Sequence, residues 1–178
     1  MKKTSFILAL LFLVFLPNAN AELLTDNLIG YWKFDNNGAD SSGGGRDLDL
    51  YGNAGFGTGL FGPALDLHGD VNQYAQRPVN DSIYNFGASD FTLQVWVNFN
   101  SFLREQVLME KFQDGTGPAW TLTYYPYYGP QKFHFYTTEE AVRICSADVN
   151  MNVGEWQQVI MRRAGSSFEL FFNDTSIG

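Results

Sequence analysis

The sequence predicts an all-β fold, and three observations carry that expectation. Glycine and aromatic residues outweigh charge: 18 glycines, 16 phenylalanines, 9 tyrosines and 4 tryptophans stand against 17 % charged residues, a composition suited to strands and turns. Strand-like runs recur about every 10 to 15 residues between clusters of Gly, Asn, Asp and Ser, the spacing of a sandwich or barrel. Helical periodicity is hard to find. At 178 residues and 45 % hydrophobic content, the chain suits one domain with a real core.

The N-terminal segment reads as an address rather than part of the fold. Lys2 and Lys3 precede an unbroken apolar run from Phe6 to Leu16, which Pro17 ends, and Ala19-Asn20-Ala21 supplies a small-x-small cleavage site. This is the pattern of a secretory signal peptide, and the run is shorter than the roughly 20 residues a bilayer span needs. The expectation is export to a secreted, extracellular or periplasmic location, with a signal peptide at 1–21 and a domain at 22–178.

The strand assignments follow along the chain. Phe91 to Phe99 is the clearest: Phe91, Leu93, Val95, Val97 and Phe99 fall on one face, and Thr92, Gln94, Trp96 and Asn98 on the other. Such period-two alternation marks a half-buried strand, because successive side chains point to opposite faces. Other strands are expected at Ile29–Phe34, Ala64–His68, Val107–Phe112, Trp120–Tyr125, Lys132–Thr137, Val142–Ala147, Trp156–Arg163 and Ser167–Asn173. Ala164-Gly165-Ser166 joins the last two as a short hairpin loop. Cys145, the single cysteine, sits in a strand-like run and is expected to be a buried thiol without an intrachain partner.

Several chemistries lack their motifs. The two histidines, His68 and His134, lie in no HExxH run, and neither a GxSxG elbow nor a P-loop occurs. A glycosidase needs two carboxylates about 5 Å apart for retention or about 6.5–9.5 Å apart for inversion. Asp47-Leu48-Asp49 is the one same-face acidic pair in a strand-like setting, and a solvated surface explains it. The formal charge of −8, from 19 acids against 11 bases, argues against a nucleic-acid partner, which needs clustered Lys and Arg. Cleavage after Ala21 removes two lysines and no acid. The exported part is therefore more acidic still, which disfavours anionic polymers and leaves neutral sugars or proteins.

Six segments, in order, resemble one family. They are Leu28-Ile29-Gly30-Tyr31-Trp32-Lys33-Phe34-Asp35, the turn Asp40-Ser41-Ser42-Gly43-Gly44-Gly45, and Phe61-Gly62-Pro63-Ala64-Leu65-Asp66-Leu67-His68-Gly69. Next come Asp90-Phe91-Thr92-Leu93-Gln94-Val95-Trp96-Val97, Gly154-Glu155-Trp156-Gln157-Gln158-Val159 and Leu170-Phe171-Phe172-Asn173-Asp174. Together they are similar to the laminin-G-like, concanavalin-A-like jelly-roll domains that bacteria attach to secreted proteins. Gln157 and Gln158 stand where that family's motif has two histidines. The resemblance implies an antiparallel two-sheet jelly-roll sandwich. It also implies a further closing strand with an acidic-Val-Arg-Ile-Tyr pattern. None follows Asp174, so a domain truncated at its C-terminal end is expected. The resemblance makes Trp96 and Trp156 packing residues. It implies a structural calcium in many members; Asp40, in the matching turn, is the first candidate ligand, followed by Asp66 and Asp70. Calcium takes oxygen ligands from loop carboxylates and carbonyls, although Asp40 also suits a turn in which its side chain folds onto backbone amides.

The candidate ligand-binding residues are aromatic: Trp120, Tyr124, Tyr125, Tyr127, Tyr128 and Tyr136. Tyr124-Tyr125-Pro126-Tyr127-Tyr128-Gly129-Pro130 places four tyrosines in a Pro/Gly-punctuated stretch, where amphipathic rings reach a surface. In Lys132-Phe133-His134-Phe135-Tyr136 the phenylalanines share the core face, and Lys132, His134 and Tyr136 share the other. The expected function is a secreted non-catalytic recognition module for carbohydrate, a polysaccharide or glycan. The alternatives are an adhesion domain that binds an extracellular protein and a divergent glycan-active enzyme.

Overall fold

Two four-stranded antiparallel sheets face each other across an aromatic core. The computed structural model describes residues 27–68, 72–77, 81–111, 117–127 and 131–178. One sheet contains β5 (Phe91–Asn98), β10 (Trp156–Ala164), β11 (Ser167–Phe172) and β12 (Thr175–Ser176), in the order β12-β11-β10-β5. The other contains β6 (Gln106–Lys111), β7 (Trp120–Tyr125), β8 (Lys132–Thr137) and β9 (Val142–Cys145), in sequence order. Two short ribbons precede them: β1 (Asp49–Tyr51) with β4 (Tyr74–Gln76), and β2 (Gly55–Thr58) with β3 (Pro63–Asp66). Among the described residues no helix is long and apolar enough to cross a membrane.

Period-two alternation decides which side chains meet. Leu93, Val159, Met161 and Leu170 point inward from the first sheet, and Trp120, Leu122, Tyr124, Phe133 and Phe135 from the second. Rings bridge the layers: Phe135 lies 5.7 Å from Phe91 and 6.4 Å from Phe168, and Phe133 lies 5.9 Å from Phe172. Such tilted and edge contacts add to the burial of apolar area, which is the main favourable term.

Turn chemistry agrees with the register. Ala164 pairs with Ser167 across a two-residue turn in which Gly165 has φ 60°, a left-handed value that glycine adopts without penalty. Asn173 and Asp174 are both left-handed, at φ 44° and 63°, and connect Phe172 to Thr175 as a primed two-residue hairpin. After that turn the chain runs back along β11. The amide of Ile177 donates to Leu170, and Leu170 donates to Gly178.

Three expectations are corrected. Ile29–Phe34 is not a strand; one isolated bridge, Trp32 with Asp40, is all that pairs there. The Trp32 indole donates to the Arg46 carbonyl at 2.8 Å, and Phe34 and Asn36 turn left-handed at φ 59° and 57°. Such angles break an extended run. Cys145 is exposed rather than buried, because alternation along β9 turns Ile144 to the core and its neighbour outward. Trp96 also points outward at 41 % exposure, edge-on to Phe61 at 6.3 Å. Trp156 is half-buried on that same outer face, opposite Asn98.

Candidate functional site

The outward face of the β6–β9 sheet collects polar and aromatic side chains in cross-strand rows. Thr121, Tyr136 and Arg143 form one row, and Thr123, His134 and Cys145 the next; Tyr125 pairs with Lys132 beyond them. Residues directly opposite across strands are near enough to interact. Thr121, Thr123, Tyr125, His134, Tyr136 and Arg143 line a cavity of about 170 Å³ that also receives Glu105 from the β6 side. Thr123, only 4 % exposed, forms its floor. The Thr121 hydroxyl is buried and has no hydrogen-bond partner, an unfilled capacity that buried polar groups rarely retain.

The walls are aromatic. The Tyr125 ring stacks on the His134 imidazole, with centroids 4.6 Å apart and planes at 20°. Tyr127, 60 % exposed, stands edge-on to Tyr125 at 5.1 Å. The Arg143 guanidinium lies 5.5 Å over the Tyr136 ring. His134 Nε2 is 3.1 Å from Cys145 Sγ. Desolvation lowers the His134 pKa, and the nearby Arg143 and Lys132 charges lower it further, so the imidazole is neutral at pH 7. Lys132 is taken up by Asp148 at 2.9 Å.

Of the six aromatic candidates, Tyr125, Tyr127 and Tyr136 reach this surface. Tyr128 lies outside the described residues. Trp120 and Tyr124 are corrected to core residues. Their strand is continuous to Tyr125, so period two turns them inward. The Trp120 indole donates to the Tyr84 carbonyl, the Tyr124 hydroxyl donates to the Phe102 carbonyl, and both rings are buried. Burial also raises the Tyr124 pKa. Sequence reasoning placed His134 outward but did not include it in the site, and it missed Arg143, Thr121, Thr123 and Glu105. The Thr-x-Thr alternation in β7 was the available signal for the two threonines.

Two of the three acidic candidates lie among the described residues, and each has partners of its own. Asp40 Oδ1 accepts from the amides of Tyr31 and Ser42, and Oδ2 accepts from Arg46. Asp66 sits on β3 with His68 at 3.4 Å, and Asp70 lies outside the described residues. Among the described residues no group of three or more His, Cys, Asp and Glu is placed to hold a metal ion. Asp40 instead organises its own turn. Desolvation raises its pKa, but the hydrogen bonds from Ser42, Tyr31 and Arg46 outweigh it and bring the value down from 3.8 to about 2. A depressed carboxylate stabilises the fold above its unfolded pKa, and that contribution is lost as pH falls through the folded one. Denaturant midpoints of Asp40→Asn should therefore fall below wild type at pH 5 and converge with it near pH 2. A constant difference across that window would show that the carboxylate charge is not what matters.

A larger, shallow hollow of about 530 Å³ lies along the β2–β3 ribbon, lined by Asn36, Phe56, Thr58, Pro63 and three glycines. It has one amide and one ring, and no titratable side chain lines it. The smaller cavity is the better candidate because its donors and rings converge.

No curated protein and no solved structure matches the chain. A family model does match, over residues 69–178, more than half of the chain. That span covers both facing sheets and the whole candidate site, and the antiparallel sandwich described above agrees with it. The chain belongs to the concanavalin A-like lectin/glucanases superfamily.

Proposed function

We propose that this domain is a secreted, non-catalytic carbohydrate-recognition module whose ligand lies on the outward face of the β6–β9 sheet. The observation that carries the reading is the stacked Tyr125–His134 pair beside Tyr136, above a floor holding the unpartnered Thr121 hydroxyl. A pyranose has an apolar C–H face and a rim of hydroxyls. Rings serve the first, and buried hydroxyls that lack partners serve the second. Among the described residues Glu105 is the one carboxylate lining the cavity, whereas both hydrolytic geometries use two; this favours binding over turnover. Export rests on the lysine, apolar and Ala-x-Ala pattern of residues 1–21, which lie outside the described residues.

Tyr125→Ala and Tyr136→Ala are each expected to weaken glycan binding about tenfold, the worth of one stacked ring, and Tyr127→Ala less. Calorimetric titration with the best ligand from a glycan panel reads the affinity. Thermal unfolding should stay within a few degrees of wild type, because these rings stand outside the core. Unchanged affinity in both Tyr125→Ala and Tyr136→Ala would remove this face from the binding site.

One observation favours a second reading, contact with another protein. Phe61 is 84 % exposed against Trp96 on the opposite sheet, and exposed apolar patches often mark such contacts. Silence across the glycan panel, together with saturable binding to an extracellular protein that Phe61→Ser abolishes, would decide for it.

A further inference from the structure

We infer that the cavity on the β6–β9 face selects a sugar bearing an anionic group, with Arg143 as the residue that grips that group. The inference rests on the carbohydrate reading above and names its ligand more narrowly. Its basis is the company each guanidinium keeps. Arg46 and Arg77 lie beside Asp81 at 3.4 and 3.7 Å, and Arg163 lies 2.9 Å from Glu140. Arg162 pairs with Glu169. Arg143 lines the cavity and has an aromatic ring as its partner instead of an acid. Arg104 also has no acidic partner among the described residues, but it does not line the cavity. In a chain with 19 acids and 11 bases, an arginine that lines a concavity and forms no ion pair is available for an anion.

The arrangement suits a bidentate grip. A guanidinium stacked on a ring keeps its N–H edge free, and that fork matches a carboxylate or sulfate. Arg143, Tyr136 and Thr121 occupy one cross-strand row. A sugar bound along that row would present its exocyclic group to Arg143 at one end and a ring hydroxyl to Thr121 at the other. Lys132 is held by Asp148 and does not compete for the anion. Asp148 is taken up by Lys132, Glu105 lines the cavity, and Glu110 lies opposite Thr121. Glu105 and Glu110 belong to the β6 side, whereas Arg143 is on β9. Three strand spacings separate those edges, about 14 Å between backbones, and among the described residues neither acid forms an ion pair with Arg143. The net negative charge of the whole chain repels a continuous polyanion. The expected ligand is thus a largely neutral glycan with sparse acidic residues.

The test is a glycan array with matched neutral, uronate-bearing and sulfate-bearing oligosaccharides, probed with wild-type protein and with Arg143→Gln and Arg143→Lys. The expected result is about a tenfold preference for the acidic member of a pair. Arg143→Gln should abolish the preference by weakening the acidic members more than the neutral ones, and keep the melting temperature close to wild type. Arg143→Lys should retain part of it, since charge survives without the fork. The uronate and sulfate arms distinguish the two sources of anion. Neutral members bound as well as acidic ones, or a preference that survives in Arg143→Gln, would overturn the inference while leaving the carbohydrate reading standing. Binding to no glycan at all would overturn both.

Discussion

Phe135→Ala is expected to cost about 3–5 kcal/mol of folding stability, the range for deleting a fully buried aromatic ring. The ring has no solvent exposure and touches the opposing sheet through both Phe91 and Phe168. Its removal costs transfer free energy and leaves a void in the seam between the layers. Collapse into that void is hindered, because both neighbours are anchored on strands of a different sheet. For a domain of this size the loss corresponds to a fall in melting temperature of roughly 6–20 °C. Urea unfolding of wild type and variant measures it. A loss below about 1 kcal/mol, the scale of a surface change, would mean that the two sheets do not pack through this ring.

Glu140→Ala is expected to cost about 1–3 kcal/mol, less than the 3–5 typical of a fully buried pair, because Glu140 keeps 29 % of its side-chain exposure. The loss comes from the partner left behind. The Arg163 side chain is only 7 % exposed, sits over the Phe168 ring and also donates to the carbonyls of Gly87 and Gly165. Without Glu140 its charge is compensated by carbonyl dipoles alone. Arg163→Met in the Glu140→Ala background should recover part of the stability, since it removes the uncompensated charge and keeps the stem's packing. Chemical unfolding of the four proteins completes the cycle. A single-mutant loss within 0.5 kcal/mol of zero, the usual surface range, or a double mutant less stable than Glu140→Ala, would contradict this account.

The sandwich was legible because alternation is a local property. Trp120–Tyr125 and Lys132–Thr137 were bounded correctly, as each run alternates between rings and polar groups and stops at turn residues. The same rule read strictly also sorts the site: Tyr124 and Tyr125 are adjacent, so they cannot share a face. Grouping them as one aromatic cluster overrode that and admitted Trp120 and Tyr124 wrongly. What alternation cannot supply is which strands are neighbours. Arg143 joins Tyr136 and Thr121 only because β9 pairs with β8 and β8 with β7, a registration set by long-range packing. The segment Ile29–Phe34 failed for the opposite reason. Its apolar content suggested a strand, but the Trp32 indole and the Asp40 carboxylate bind the backbone of nearby loops, and those contacts outcompete sheet pairing.

The two sheets also differ in how their strands are wired. β6 to β9 form a meander in which each strand pairs with its successor, whereas β5 pairs with β10 only after the whole meander has been traversed. Neighbour pairing closes short loops at small entropic cost, and distant pairing closes a long one. The expected order of assembly follows: the β6–β9 sheet takes shape from local hairpins, and the β5–β10 seam zips last. Until then the inward rings of both layers stand in water. The slow step of folding and the interval of greatest aggregation hazard are therefore expected in the sheet that joins β5 to β10.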